Sequence, residues 1–116
     1  MRRPTLLAAA LLSSVAAGCA SDAPTASGSS CLGDHGSCVD LVDMPSNLVA
    51  QATCIDVLGG TFTFVAGAAC PGTALVGSCD VTQAGARFTV QYYDPWFGAG
   101  TAASACTTLG GVFHAP

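Results

Sequence analysis

Six cysteines, Cys31, Cys38, Cys54, Cys70, Cys79 and Cys106, are spread over residues 31–116, and a seventh, Cys19, stands apart near the N-terminus. A segment of that size has a marginal apolar core, which disulfides commonly supplement. An even set of six in an oxidising compartment reads as a three-bridge framework, with the connectivity open. Most of what the chain can fold into is therefore limited to a small cross-linked domain, provided it leaves the cytoplasm.

The N-terminus supplies that condition. Arg2 and Arg3 precede an uncharged stretch over residues 4–17, which leads into Val15-Ala16-Ala17-Gly18-Cys19. The stretch is shorter than the roughly 20 residues a bilayer-crossing helix needs, so it reads as a cleaved signal peptide over residues 1–18. The ending resembles a bacterial lipoprotein export signal, although Ala16 stands where Leu is usual. That resemblance implies diacylglyceryl and further acyl chains, palmitate among them, on Cys19. It also implies outer-membrane placement in the cell envelope, because Ala20 rather than Asp follows the cysteine. An ordinary secretory cut near Ala17 would leave Cys19 as an odd thiol. Twin-arginine export is not expected, since Arg2-Arg3 lacks the rest of that motif.

Past the anchor, Ser21 to Ser30 reads Ser-Asp-Ala-Pro-Thr-Ala-Ser-Gly-Ser-Ser. Such a composition buries too little to offset the entropy of ordering it, so residues 19–30 are expected to be a lipidated tether and residues 31–116 the domain. Beyond Cys19 there are seven Asp, no Glu, no Lys and Arg87 alone, a formal balance of −6. Nucleic acid is excluded as a partner, because its affinity rests on Lys and Arg neutralising phosphates.

Internal similarity suggests two tandem three-cysteine repeats, about 31–65 and 70–113. Gly36-Ser37-Cys38 returns as Gly77-Ser78-Cys79, and Leu58-Gly59-Gly60-Thr61-Phe62 as Leu109-Gly110-Gly111-Val112-Phe113. Asp43 with Pro45 is matched by Asp94 with Pro95. Ser46 predicts an N-cap, and Leu48, Ala52, Ile55 and Leu58 a helix face ending at Gly59. Ala102, Ala105, Cys106 and Leu109 predict a second helix, capped by Thr101 and closed at Gly110. Both helical cysteines should point inward. Period-two alternation of Phe88, Val90 and Tyr92 predicts a strand over residues 87–93, with others at 75–81, 61–65 and, shorter, 39–42. The expected fold is α+β, in the order β-α-β-β-β-α-β, with two helices on one face of a mostly antiparallel sheet. Pairings that respect the repeat are preferred: Cys54 with Cys70, Cys31 with Cys106, and Cys38 with Cys79.

From Cys54 onward, the matching residues are Cys54, Gly59-Gly60-Thr61-Phe62, Cys70-Pro71, Val76-Gly77-Ser78-Cys79, Tyr92-Tyr93, Cys106 and Gly110-Gly111-Val112-Phe113. In these residues the chain resembles a cysteine-rich segment of small predicted lipoproteins from myxobacteria and related bacteria. It departs at Val112, where Thr is usual, and at Phe113, where Trp is common. The group has no established activity, so the likeness implies location and fold rather than mechanism.

Candidate chemistry is sparse. Cys31, His35 and Cys38 have the spacing of a zinc-ligand set, but an oxidised cysteine cannot ligate, and the disulfide reading is preferred. Asp40 and Asp43 alone make a thin calcium site. His35 and His114 lie in no nucleophile motif and no Cys-x-x-Cys pair occurs, so neither an enzyme nor a cofactor or metal is expected. The run Tyr92-Tyr93-Asp94-Pro95-Trp96-Phe97-Gly98 gathers aromatics at a strand end. Its preferred reading is a cap on the core by Tyr92, Trp96 and Phe97. The alternative is a surface for polysaccharide or an envelope protein through Tyr93, Asp94, Trp96 and Phe97, which requires an exposed Trp96. The two functional expectations are a structural or coat domain on a lipid anchor and a surface binding module.

Overall fold

A computed structural model describes residues 26–116; the expected signal peptide, Cys19 and the first part of the expected tether lie outside them. The elements in chain order are strands β1 (Ser29–Gly33) and β2 (Ser37–Asp43), helix α1 (Asn47–Leu58) and strand β3 (Phe62–Val65). Strands β4 (Leu75–Gln83) and β5 (Ala86–Tyr93), helix α2 (Ala99–Leu109) and strand β6 (Val112–His114) follow. The sheet runs β3-β1-β2-β5-β4-β6 with every neighbouring pair antiparallel, and both helices pack on one face. The α+β class is as expected, with one strand more than the sequence reading placed.

That strand, β1, begins inside the expected tether. Ser29 and Ser30 are each only 2% exposed, and Ala26 joins the core. The Ser29 hydroxyl accepts the Gly67 backbone N–H at 3.0 Å, so a serine in the sheet is satisfied by main chain rather than water. Composition alone had marked these residues as unable to order. Pairing on both sides, with β2 and β3, supplies what composition lacks.

The helices follow their terminal signals better than their apolar ones. The Ser46 hydroxyl caps α1 by accepting from Val49 N–H at 3.1 Å, and Gly59 and Gly110 close the helices in the left-handed conformation. The first helix, however, buries Ala50 and Cys54, while Leu48 is 77% exposed and Ile55 half exposed. A helix tied to the sheet by a half-cystine approaches closely, so small residues four apart face inward; Leu48, Ala52 and Ile55 turn outward, and of the expected face Leu58 packs on the core. Likewise α2 buries Ala102 and Cys106. It starts at Ala99 with Gly98 as its cap; Thr101 is inside the first turn, its hydroxyl accepting Gly98 N–H at 2.9 Å.

All three expected pairings are corrected. The bridges are Cys31–Cys54, Cys38–Cys70 and Cys79–Cys106. The first and third each join an inward strand residue to the helix lying over it. Cys38 is flanked by the inward Val39 and so points to the opposite face, where Cys79 cannot reach it. Residues 66–74 cross that face, held by Cys70 and by Asp40, which accepts Cys70 N–H at 2.7 Å. Gly36-Ser37-Cys38 leads into β2, whereas Gly77-Ser78-Cys79 lies within β4, so the two triplets occupy different places.

Across the middle of the sheet, Cα partners give the row Phe64, Cys31, Val39, Val90, Cys79, Phe113. A methyl added at Gly77 would meet the Phe113 ring, so this backbone position is kept bare by the aromatic on β6. Gly77→Ala is expected to push Phe113 and β6 off the sheet edge and cost about 1 to 3 kcal/mol. A lowered urea midpoint, with the disulfides intact by mass, checks this.

Candidate aromatic binding face

The end of β5 is built inside out. Tyr92 and Tyr93 are buried, and the chain then turns through a cis Asp94–Pro95 bond, closed by Phe97 N–H donating to Tyr93 C=O at 3.0 Å. Phe97 packs on Tyr92 with ring centroids 4.8 Å apart. Trp96 projects outward from this turn and is 59% exposed. The expected core cap therefore consists of Tyr92 and Phe97 without Trp96. Of the four candidate binding residues, Trp96 and Asp94 are at the surface, Tyr93 is buried and Phe97 is partly buried.

Trp96 lies over the turn between β1 and β2. Gly36 has φ +77, and a methyl there would collide with the Trp96 side chain, so the indole rests on bare backbone. His35 meets the indole edge-on with centroids 5.5 Å apart. This packing fixes the ring, and a fixed exposed aromatic loses little entropy on binding. The concavity in front of it has a volume of about 310 Å³ and is walled by Leu32, Asp34, Pro71, Thr73, Asp94 and Trp96. The sequence offers His35 as a zinc ligand, a base or a solvated loop histidine; the structure sets it edge-on against an indole.

Tyr93 forms the floor. Its N–H donates to Gly36 C=O at 3.0 Å and its hydroxyl to Pro71 C=O at 2.6 Å, which ties the aromatic turn, the β1–β2 turn and the crossing loop together. Burial, and secondarily the Asp40 charge, push its pKa up to about 12; burial also raises that of Tyr92. A phenol whose folded pKa is raised gives stability that is complete below the unfolded value of about 10 and is lost as pH climbs through the folded one. Stability is thus expected to hold to about pH 10 and fall towards about pH 12. Tyrosinate absorbance and circular dichroism followed together through that window check it.

In the shape and chemistry of this face, the indole offers an apolar plane and Asp34 and Asp94 offer carboxylate oxygens as acceptors. The chain matches no family model, no curated protein and no solved structure.

The other sequence candidates are dispersed. Cys31 and Cys38 belong to different bridges, so the Cys31-His35-Cys38 zinc set is not assembled, and among the described residues no group of three or more ligating side chains could hold a metal. Both Asp40 oxygens accept protein hydrogen bonds, from Cys70 N–H and from Gln91 Nε2 at 3.1 Å, while Asp43 lies past a bulge at the exposed end of β2. His114 pairs with Asp80 at 3.0 Å, on the face away from the helices.

Proposed function

We propose that this protein is a lipid-anchored domain of the bacterial envelope, attached through Cys19 at the outer membrane, and that its Trp96 face binds neutral carbohydrate. The observation that carries the binding half is the exposure of Trp96, the condition that separates a binding module from a coat domain. A sugar ring stacks its C–H face on an indole, and its hydroxyls donate to carboxylates such as Asp34 and Asp94. Two carboxylates on the rim, with Arg87 at the other end of β5, disfavour uronic acids and phosphorylated glycans. Location rests on the N-terminal sequence and on the likeness to cysteine-rich lipoproteins, and three disulfides fit an oxidising compartment. We assign no reaction to the protein.

The internal repeat is part of the same proposal, in a changed register. Each half runs strand, strand, helix, strand, with the last strand returning beside the first, and the central row of partners reads the same from either side. This matches Ser29-Ser30-Cys31 to Gly77-Ser78-Cys79, and Ala50-x3-Cys54 to Ala102-x3-Cys106.

Titration of Trp96 fluorescence with neutral glucose or galactose oligomers is expected to saturate near millimolar concentration, with a uronate oligomer as the control. Equal response to both, or to neither, would refute the assignment. Intact mass of protein extracted from its native membrane, alkylated before and after reduction, tests the anchor. Acylation at Cys19 with six thiols released only by reduction is the expected result.

A further inference from the structure

The strand register gives the domain two distinct ends. Ala26 enters beside the start of β1, at the end where β2 finishes with Asp43 and β5 begins with Arg87. Trp96 lies at the other end, over the β1–β2 turn. A seven-residue strand at about 3.3 Å per residue separates them by roughly 20 Å. At the Ala26 end stand the exposed Val42 and Leu48. Val65 and Val112, also exposed, flank the row one step from centre towards this end. Beside them an apolar groove of about 250 Å³ runs between α1 and β3, walled by Ala26, Ala50, Phe62 and Phe64.

The carboxylates are spread over both ends. Arg87, the one Arg or Lys among the described residues, is at the Ala26 end. Of the six described Asp, Asp34, Asp56 and Asp94 belong to the far end, Asp43 shares the end with Arg87, and Asp40 and Asp80 stand one step from centre towards it, in the same row as Val65 and Val112. Because β1 begins within the expected tether, only six residues, 20–25, separate Ala26 from the anchor at Cys19. Seven Cα steps span at most about 25 Å.

The geometry points to the α1–β3 flank that opens at Ala26, with Leu48, Phe64 and the groove between them, as a surface that docks on the lipid bilayer carrying the protein's own anchor, leaving the Trp96 face directed away from the membrane. This rests on the lipid-anchor reading of Cys19. Weak interfacial contacts suffice, because the short tether makes docking intramolecular. Apolar side chains enter the headgroup boundary, so apolar surface rather than charge carries the contact.

The test uses the full lipidated protein in phosphatidylcholine vesicles with and without brominated acyl chains. Native Trp96 reports the far end. Two double variants, Phe64→Trp with Trp96→Phe and Leu48→Trp with Trp96→Phe, report the docking end, and the second serves if the first fails to fold. Emission from position 64 or 48 is expected to fall about twofold in brominated vesicles, with Trp96 unchanged. Unquenched probes at both positions on protein whose mass shows acylation would overturn the docking alone. Quenching of Trp96 as strong as at position 64 would overturn the orientation, and a mass without acyl groups would overturn the anchor and the docking with it.

Discussion

Alanine at both Cys79 and Cys106 is expected to undock α2 and leave the domain largely unfolded at physiological temperature. Both sulfurs are fully buried, and the bridge spans 27 residues. In the chain-entropy account a loop of that length contributes about 3.5 kcal/mol. A domain of this size has a total stability of about 5 to 13 kcal/mol. Packing cannot replace the loss, because the only fully buried partner of Cys106 on the helix is Ala102. Removal of Cys38 and Cys70 should be milder. That bridge fastens a crossing loop which also keeps the Gly67 bond to Ser29 and the Pro71 bond to Tyr93. Urea denaturation of the two variants orders them; equal midpoints would contradict the view that the helices are held chiefly by their half-cystines.

Trp96→Ala is expected to abolish neutral-saccharide binding, weakening it more than tenfold, while the melting temperature stays within a few degrees. The indole touches His35 and the Gly36 backbone and buries little else, so truncation exposes no core. Calorimetric titration reads the affinity without relying on the lost fluorophore, and Trp96→Phe should retain part of it. Collapse of the fold in Trp96→Ala would return the residue to the role of core cap.

The same contrast explains what was legible beforehand. Elements announced by local chemistry were found: the Ser46 cap, the glycine stops at Gly59 and Gly110, and the alternation through Phe88, Val90 and Tyr92. Features decided by distant partners were not. Ser29 and Ser30 look like linker until β2 and β3 flank them. In α1 the inward Cys54 was legible, whereas Leu48 and Ile55, which carry the larger hydrophobic signal, face water, and the bridge to Cys31 brings the smaller Ala50 to the sheet. Direct alternation could have found the face of Cys38, since Val39 and Leu41 fix the inward side of that strand. At the aromatic turn, sequence located the cluster; which of its rings faces water depends on Gly36, more than fifty residues away.

The disulfide map has a topological consequence. Two bridges lie in the segment up to Cys70 and the third lies wholly beyond Gly77, so no covalent link other than the backbone crosses residues 71–74. One peptide cleavage there, beside the exposed Gly72 and Thr73, would yield two fragments that no disulfide connects. Only the β2–β5 ladder, hydrogen bonds such as Tyr93 to Pro71 and the surrounding packing would then hold the Trp96-bearing fragment to the fragment leading back to Cys19. A nicked molecule would keep its two halves together while folded and release the second on unfolding, without any reductant.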